Sequence, residues 1–235
     1  MKQKVIGILG GMGPEATADL FYRIIKATPA KKDQDHLRVI IDNNPKIPDR
    51  TEAILTNIGS PLSEIIKTAR NLERAGADFV VMPCITAHCY FEDVKKSIGI
   101  PILNMIELTA VIISKRFPKL RKAGIIATTG TVKTKIYDRA LETIGVEVIY
   151  PPSDLQNLVM EAIYDCIKSG HHRKGKTILI NVGKFLAQRG SDMIISGCTE
   201  ASLVLKKGAL AIPIIDPLQI LSEAAVATAL GKAME

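Results

Sequence analysis

The sequence contains no tryptophan, few other aromatic residues and only four cysteines among its 235 residues. Four cysteines in a chain of this length do not indicate a disulfide framework of the kind that staples small secreted domains. No stretch reaches the roughly 18 uninterrupted apolar residues typical of a membrane-spanning helix. The first residues also lack the apolar segment and cleavage site of a secretory leader. We therefore expect a cytoplasmic protein with no membrane partner.

Hydrophobic residues make up 47% of the chain and charged residues 23%, which is typical of a globular protein rather than a disordered or fibrous one. The length allows one large domain or two small ones. The net charge is +7, and the basic residues are concentrated at 115–122 and 168–176. Apart from Phe117, neither segment carries an interleaved aromatic residue, and neither carries a nucleic-acid-binding motif. We expect no nucleic-acid partner, and the positive charge favours a small anionic substrate.

One pattern occurs twice in the chain. Residues 76–88 and 190–200 each begin with glycine, continue through an aspartate and an apolar run, and end at a cysteine followed by polar residues. Three matched pairs are each 114 positions apart: Gly76 and Gly190, Asp78 and Asp192, and Cys84 and Cys198. A repeat of about half the chain is too long for a solenoid and indicates two copies of one α/β unit.

The flanking sequence repeats as well, because apolar runs that enter glycine turns precede both cysteines and similar apolar runs follow them. Strand and helix patterns alternate throughout, which predicts an α/β fold with parallel sheets and right-handed crossovers. We predict two similar α/β domains related by a pseudo-twofold axis, with the active site in the cleft between them. The first domain comprises residues 1–104 plus 217–235, and the second comprises 105–216.

Cys84 and Cys198 are the candidate chemical groups, because each follows an apolar strand and precedes a predicted helix. A helix N-terminus carries partial positive charge, which predicts a lowered thiol pKa. Thr86 and Thr199 are the predicted N-caps of the two helices. The other two cysteines, Cys89 and Cys166, have no counterpart in the other copy and are predicted to pack within helices.

A glycine-rich turn offers a rival interpretation. Residues 11–16 follow a strand and match Gly-x-Gly-x-x-Ala, and Asp42 ends the next strand, where the acid of a dinucleotide site would lie. Pro14 weakens this interpretation because it removes a backbone N–H from the helix start that would meet a pyrophosphate. No second half of such a fold follows, so we predict no cofactor.

A metal site is a second rival. Cys84, His88 and Cys89 could approach one another along a helix. The sequence contains no Cys-x-x-Cys pair and no His-Glu-x-x-His to support it. We therefore predict no metal.

Three motifs together resemble the aspartate/glutamate racemase family, and its aspartate racemase branch in particular. They are Met-Pro-Cys-x-Thr-Ala-His at 82–88, Gly-Cys-Thr-Glu at 197–200 and Gly-Gly-Met-Gly-Pro-Glu-Ala-Thr at 10–17. The resemblance extends over essentially the whole chain. It implies a homodimeric, cofactor-independent enzyme that needs no pyridoxal phosphate and inverts the α-carbon of aspartate or glutamate. One thiolate would remove the α-proton while the opposing thiol protonates the other face.

The resemblance also implies the residues that would bind the substrate. Arg50 and Lys168 would hold its carboxylates. The other residues expected to contact it are Met12, Asp49, Ile85, Thr86, Thr128, Thr129, Thr199 and Glu200. Ile85 departs from the family pattern, in which asparagine usually follows the first cysteine, and this exchange leaves the substrate open.

Two other functions remain open at this point. One is isomerisation or decarboxylation of a dicarboxylic acid with a single cysteine, as in maleate isomerase or arylmalonate decarboxylase. The other is a protein that binds an amino acid or a nucleotide without catalysis. The symmetric pair of cysteines favours racemisation, because inverting a carbon in both directions requires an acid and a base on opposite faces.

Overall fold

The computed structural model describes residues 3–233. These form two compact units, each with its own dense set of internal contacts. Unit 1 comprises the described residues up to Leu108 and from Leu218 onward, and unit 2 comprises Thr109–Pro217. The predicted domains, residues 1–104 plus 217–235 and residues 105–216, stay a prediction.

Unit 1 is built on a four-stranded parallel sheet in the order β2-β1-β3-β4. Its strands are β1 (Ile6–Gly10), β2 (Val39–Asn43), β3 (Phe79–Val81) and β4 (Ile102–Leu103). Its helices are α1 (Pro14–Ala27), α2 (Arg50–Thr56), α3 (Leu62–Arg74), α4 (Phe91–Ser97) and the start of α5 (Met105–Arg116), with 3₁₀ turns at Asp33–Asp35 and Thr86–Tyr90. Strands β1 and β3 are buried along their whole length, which explains their nearly continuous apolar sequence.

Unit 2 repeats this topology, with a parallel sheet in the order β6-β5-β7-β8. Its strands are β5 (Lys122–Ile126), β6 (Glu147–Ile149), β7 (Met193–Ser196) and β8 (Ile214–Ile215). Its helices are α6 (Thr129–Thr134), α7 (Ile136–Glu142), α8 (Ser153–Glu161), a π-helix (Ala162–Ile167), α9 (His172–Gln188) and α10 (Thr199–Val204). The predicted α/β class with two parallel sheets is therefore confirmed.

The last helix, α11 (Pro217–Ala229), belongs almost entirely to unit 1. The Lys4 amide donates to the Ala229 carbonyl at 3.0 Å, and Arg23 Nη1 donates to Gln219 Oε1 at 3.3 Å. Unit 1 is thus built from both ends of the described chain. Over residues 3–233, no helix combines the length and the apolar character that crossing a bilayer requires.

The repeated glycines are helix terminators. Gly76 and Gly190 follow α3 and α9 and have φ of +91° and +92°, in the left-handed region that glycine adopts without strain. The next amide in each copy donates back to the helix: Ala77 to the Leu72 carbonyl and Ser191 to the Leu186 carbonyl, both at 3.1 Å. Each glycine therefore turns the chain from a helix into the central strand.

The repeated aspartates join neighbouring strands. The Asp78 side chain accepts the Val5 amide at 2.6 Å, just before β1. The Asp192 side chain accepts the Lys122 amide at 2.9 Å, at the start of β5. Their backbone amides donate to the carbonyls of the same two residues, each at 2.9 Å. Both aspartates thus fix strand register, and of the three matched pairs only the cysteines remain for chemistry.

Three predicted elements differ from the structure. The segment 43–51, predicted as an irregular loop, ends in the short helix α2, because the Asp49 side chain caps it by accepting the Glu52 amide at 2.9 Å. The predicted helix 133–144 is divided into α6 and α7 by Lys135, which has φ +51°. The predicted helix 86–97 begins as a 3₁₀ helix.

Candidate active site

Each unit places one of the matched cysteines just beyond the carboxyl end of its third strand. Cys84 follows β3 and Cys198 follows β7, and both strands are interior strands of their sheets. Ligands of open α/β sheets bind at this edge, outside the carboxyl ends of the strands. Neither cysteine forms a disulfide bond, and both are buried, with exposed fractions of 5%. Each unit therefore holds one thiol where α/β proteins place their reactive groups.

Cys84 begins an irregular turn rather than a regular helix. Its amide donates to the Met82 carbonyl at 2.8 Å, and the chain then enters the 3₁₀ helix Thr86–Tyr90. The prediction that Thr86 caps this helix is wrong, because the N-cap is Ile85 and has no side-chain capping bond. Ile85 is 1% exposed and Thr86 is 6% exposed. The residue that follows Cys84 is therefore a buried apolar one.

The guanidinium of Arg50 ties together two loops at the same edge of unit 1. Nη1 donates to the carbonyls of Ile47 and Pro48 at 3.3 and 3.0 Å, and Nη2 donates to the Met12 carbonyl at 3.3 Å. Arg50 is 8% exposed, and Asp49 beside it is the N-cap of α2. The structure thus brings together Met12, Asp49 and Arg50, and gives Arg50 a part in shaping the loop that follows β1.

The glycine-rich turn after β1 uses its own backbone donors internally. The Gly11 amide donates to Thr17 Oγ1 at 3.0 Å, and the Thr17 hydroxyl donates to the Gly13 carbonyl at 2.9 Å. Gly11 has φ +93°, and a Cβ there would collide with the backbone of Asn44. The glycine is therefore required by the close approach of the loop after β2, and its amide is directed at a threonine rather than outward toward a pyrophosphate.

Cys89 lies close enough to Cys84 to interact with it electrostatically, but it is a poor base. Burial, together with the negative charge that Cys84 can carry, raises the pKa of the Cys89 thiol to about 12. The thiol is therefore protonated across the neutral range. Cys166 in unit 2 is fully buried within the π-helix. These surroundings support the packing role predicted for both residues.

Cys198 is the N-cap residue of α10, and its thiol donates to Glu200 Oε2 at 2.9 Å. The hydroxyl of Thr199 donates to the same oxygen at 3.3 Å. Glu200 is only 6% exposed. The carboxylate therefore accepts a hydrogen bond from the thiol, and Cys198 and Glu200 form a buried hydrogen-bonded pair. Thr199 orients this pair and is not the predicted N-cap.

The predicted lowering of the thiol pKa is wrong for Cys198. Burial is the main cause that raises the pKa of this thiol well above its usual value, and the charge and hydrogen bond of the Glu200 carboxylate raise it further. The Lys168 ammonium and the Glu200 amide oppose this effect. The N-terminus of a six-residue helix is thus outweighed by desolvation and a neighbouring carboxylate. Cys198 rests as the protonated thiol.

Threonines predicted to line the site follow β5 in unit 2. Thr128 caps α6 by accepting the Thr131 amide at 3.3 Å. Thr129 begins α6, and its hydroxyl accepts Gln156 Nε2 at 3.3 Å. The same Gln156 nitrogen donates to the Ala127 carbonyl at 2.9 Å. Gln156, which the sequence did not single out, therefore supports the loop after β5 from α8.

Lys168 follows the π-helix directly, and its amide donates to the Ile163 carbonyl at 3.0 Å, five residues earlier. Its ammonium lies over the Tyr164 ring, 4.0 Å from the centroid. Lys168 lowers the pKa of the Cys198 thiol, so its charge acts on the same group as Glu200. Single π-helical turns are frequent at functional sites, and this one sets the register of Lys168.

Tyr137 is a second residue that the sequence did not single out. It is fully buried, and among the described residues its hydroxyl has no hydrogen-bond partner. Burial raises the pKa of Tyr137, and the negative charges of Tyr150, Cys198 and Asp216 raise it further. A neutral phenol therefore lies within electrostatic range of the Cys198 thiol. In the sequence Tyr137 is a single tyrosine within a helical pattern, so no local pattern could have identified it.

No group of three or more metal-ligating side chains occurs among residues 3–233. His88, the histidine of the rival metal interpretation, uses both ring nitrogens on backbone groups. Nδ1 lies 2.8 Å from the Cys84 carbonyl oxygen, and Nε2 accepts the Met105 amide at 3.2 Å. Both nitrogens of the imidazole therefore hold backbone groups in place around the first cysteine.

The sequence model of the Asp/Glu/Hydantoin racemase family matches residues 9–225. The chain belongs to this family. Both cysteine motifs and nearly all of both units lie inside the matched region, so the predicted resemblance is confirmed, together with the assignment to an enzyme family.

Relatives of full length support the assignment. The broad-specificity amino-acid racemase RacX of Bacillus subtilis is 31% identical over 97% of this chain and 99% of its own. The solved aspartate racemase of Picrophilus torridus has a TM-score of 0.87 and 32% identity over 99% of this chain and 96% of its own. An aspartate racemase homologue from Pyrococcus horikoshii has a TM-score of 0.77 and 26% identity, over 97% and 99%. These relatives are isomerases of amino acids or their homologues.

Proposed function

We propose that this chain is an amino-acid racemase that interconverts L- and D-aspartate without pyridoxal phosphate or another cofactor. One observation carries the proposal: two units of the same strand order each hold a buried cysteine, not in a disulfide, at the carboxyl end of the third strand. Family membership and full-length similarity to an aspartate racemase support it.

In the proposed mechanism the two thiols act on opposite faces of one α-carbon. Cys84 as thiolate removes the α-proton, and Cys198, held as a thiol against Glu200, delivers its proton to the other face. In the reverse direction Cys198 becomes the base. Between turnovers the Glu200 carboxylate keeps the Cys198 thiol hydrogen-bonded and protonated.

The carbanionic intermediate must be stabilised, and the proposed site has suitable groups. Lys168 brings positive charge near Cys198. The hydroxyls of Thr86, Thr128 and Thr129 can donate to a carboxylate whose charge grows as the α-carbon is deprotonated, while the Thr199 hydroxyl donates to Glu200. Arg50 would contribute its charge while it holds Met12 and Asp49 in place. These roles for the predicted residues are proposals that substitution can test.

Deuterium incorporation tests the reaction. The protein is incubated with L-aspartate in D2O without added cofactor, and both enantiomers are separated and analysed at early times. A two-base mechanism gives D-aspartate with α-deuterium and L-aspartate without it, because each thiol exchanges its proton with solvent on its own face. Deuterium in both enantiomers at early times would instead indicate a single base. Absence of D-aspartate and of exchange would contradict racemisation.

Substitution of the cysteines tests the assignment of the bases. Cys84→Ser and Cys198→Ser should each reduce racemisation by about three orders of magnitude or more, since a serine hydroxyl is a far weaker acid than a thiol. Cys89→Ser and Cys166→Ser are matched controls that keep the activity. Full activity of either Cys84→Ser or Cys198→Ser would remove the two-base assignment.

A wider substrate range is the second candidate. The buried Ile85 replaces the amide usual in the family beside the first cysteine, and the similar RacX protein is a broad-specificity amino-acid racemase. We infer that amino acids less polar than aspartate can also enter. Solvent deuterium exchange across the twenty common amino acids tests this. Exchange confined to aspartate and glutamate would contradict it.

Other outcomes would point elsewhere in the superfamily. Turnover of maleate or of substituted malonates without racemisation would favour an isomerase or decarboxylase. Ligand-dependent melting without turnover would favour a binding protein. The homodimer and the cytoplasmic location stay predictions, and light scattering of the purified protein tests the first.

A further inference from the structure

The imidazole of His88 joins two separate stretches of backbone in unit 1. One of its nitrogens contacts the carbonyl of Cys84, four residues earlier, and the other contacts the amide of Met105, the first residue of α5. The ring is buried, 6% exposed, and stacks on Phe91 with an interplanar angle of 7°. Its orientation is therefore fixed from three sides.

The contacts determine which nitrogen carries the proton. The Met105 amide can only donate, so Nε2 must be an unprotonated acceptor. The neutral ring then carries its proton on Nδ1, which donates to the Cys84 carbonyl. Burial lowers the pKa of His88 to about 4, although the bond to the Cys84 carbonyl opposes the shift. His88 is therefore a fixed neutral donor near pH 7.

Unit 2 shows what His88 replaces. The residue 114 positions later is Ser202, and its backbone amide donates to the Cys198 carbonyl at 3.2 Å, as in an ordinary α-helix. After Cys84 the chain is 3₁₀ instead, and the His88 amide donates to the Ile85 carbonyl at 2.9 Å. The His88 side chain thus supplies to the first cysteine the bond that the backbone of Ser202 supplies to the second.

The hydrogen bond from His88 Nδ1 to the Cys84 carbonyl also fixes the groups next to that carbonyl. A trans peptide is planar, so fixing the Cys84 carbonyl also fixes the Ile85 N–H on the opposite side of the same plane. It also fixes the direction in which the Cys84 side chain leaves the backbone. A shift of about 1 Å in a reacting group can cost about 100-fold in rate, so this degree of control is relevant to catalysis.

We propose that His88 is a positioning residue for the first thiol: its Nδ1–H holds the Cys84 carbonyl, and so aims both the thiol and the Ile85 amide at the substrate. The inference rests on the proposed racemase function. His88 exchanges no proton with the substrate and acts through the peptide between Cys84 and Ile85.

Two substitutions separate positioning from mere packing. In His88→Asn, the side-chain amide can still donate to the Cys84 carbonyl, but its oxygen is too close to the backbone to take the place of Nε2 as the acceptor for the Met105 amide. In His88→Leu, the apolar volume is kept and both bonds are lost. His171→Gln, in the exposed loop before α9, is the matched control. Each variant is compared at a temperature where circular dichroism shows that it is folded.

We expect His88→Leu to lower kcat for aspartate by about 100-fold with a smaller change in KM, and His88→Asn to recover most of kcat. Both variants should melt below the wild type, because both lose the contact to Met105. Equal kcat in folded His88→Leu and His88→Asn would show that the histidine only packs, and would overturn the inference.

Thiol alkylation gives a readout that does not depend on racemisation. Iodoacetamide modification is followed at each cysteine by peptide mass spectrometry. His88→Leu should change the rate constant at Cys84 by about tenfold and leave Cys198 unchanged, while His88→Asn should resemble the wild type at both. If the two His88 variants differ in alkylation as expected but the wild-type protein has no racemase activity, only the proposed function is contradicted. Full activity together with unchanged alkylation in His88→Leu would contradict the positioning role alone.

Discussion

At the scale of single residues, the two cysteines have different surroundings although the sequence presents them as a matched pair. The Cys198 thiol donates to the buried Glu200 carboxylate, while the Cys84 carbonyl is held by the His88 ring. The residue pattern predicted both thiols, but it also predicted a lowered pKa, which is wrong for Cys198. A rotamer that places a carboxylate 2.9 Å from the sulfur leaves no periodic signal in a sequence.

Substitution of Glu200 should lower the pKa of Cys198. Glu200→Gln removes the negative charge and the strongest acceptor of the thiol proton, so the thiolate forms at lower pH. The pH dependence of iodoacetamide alkylation at Cys198 measures this. Glu161→Gln, which alters an exposed carboxylate paired with Lys174, is the control and should leave the alkylation profile unchanged. An unchanged Cys198 profile in Glu200→Gln would show that the carboxylate is not coupled to the thiol.

Substitution of Lys168 should have the opposite sign. Lys168→Gln removes a positive charge that lowers the pKa of Cys198, so the alkylation profile should move to higher pH. Because Lys168 is exposed, the shift should be larger at low ionic strength than in concentrated salt. Lys174→Gln serves as the control. A shift to lower pH in Lys168→Gln would contradict the electrostatic assignment.

His88 should make the protein less stable in mild acid. Its pKa is about 4 when folded and near 6.5 when unfolded, so between these values the unfolded chain binds a proton that the folded chain does not. The free energy of unfolding should be unaffected by His88 above pH 6.5 and should fall as pH drops toward 4, by at most about 3 kcal/mol. Urea unfolding at several pH values measures this. His88→Asn should lose that part of the pH dependence, and His171→Gln should keep it.

At the scale of secondary-structure elements, the repeated glycines and aspartates build the two units rather than the chemistry. Gly76 and Gly190 end helices in the left-handed region, and Asp78 and Asp192 hold the adjoining strands. The alternation of apolar runs was sufficient to predict the strands. It was insufficient for the π-helix before Lys168, because an insertion of one residue into a helix barely changes its apolar period.

Replacing a terminator glycine should cost stability through backbone strain alone. Nothing lies within 4 Å of a Cβ built on Gly190, so Gly190→Ala adds no clash but forces alanine to φ near +92°. We expect a loss of about 1–2 kcal/mol in the free energy of unfolding. Asparagine tolerates this region better, so Gly190→Asn should cost less than Gly190→Ala in denaturant titrations. Equal losses in the two variants would indicate that backbone strain at this position does not cause the loss of stability.

At the scale of the whole molecule, the sequence predicted two α/β units of one topology, because a repeat of half the chain carries its own strand order. The segment 43–51 was predicted as a loop from its prolines and turn residues, and residues 44–49 do form one. The prediction missed its end, where Asp49 caps α2 and places Arg50 against the Met12 carbonyl. That outcome depends on a contact between residues 38 positions apart, which local pattern does not contain.

Removal of α11 should affect the two units unequally. The helix contributes hydrogen bonds to Lys4 and Arg23 of unit 1. A chain that ends at Pro217 should therefore lose amide protection in β1 and β3 while β5 and β7 retain most of theirs. Hydrogen exchange with mass spectrometry measures both sets of strands in one sample. Equal loss in the two sets would show that they unfold as one cooperative body.

The unequal neighbours of the two thiols have a kinetic consequence for a racemase. Enantiomers have the same free energy in water, so their equilibrium constant is one and kcat/KM must be identical in the two directions. A thiol paired with Glu200 and a thiol anchored through His88 need not bind the two mirror images equally well. Any difference between the two directions must therefore change kcat and KM by the same factor. The enantiomer with the higher kcat is then also the one with the higher KM.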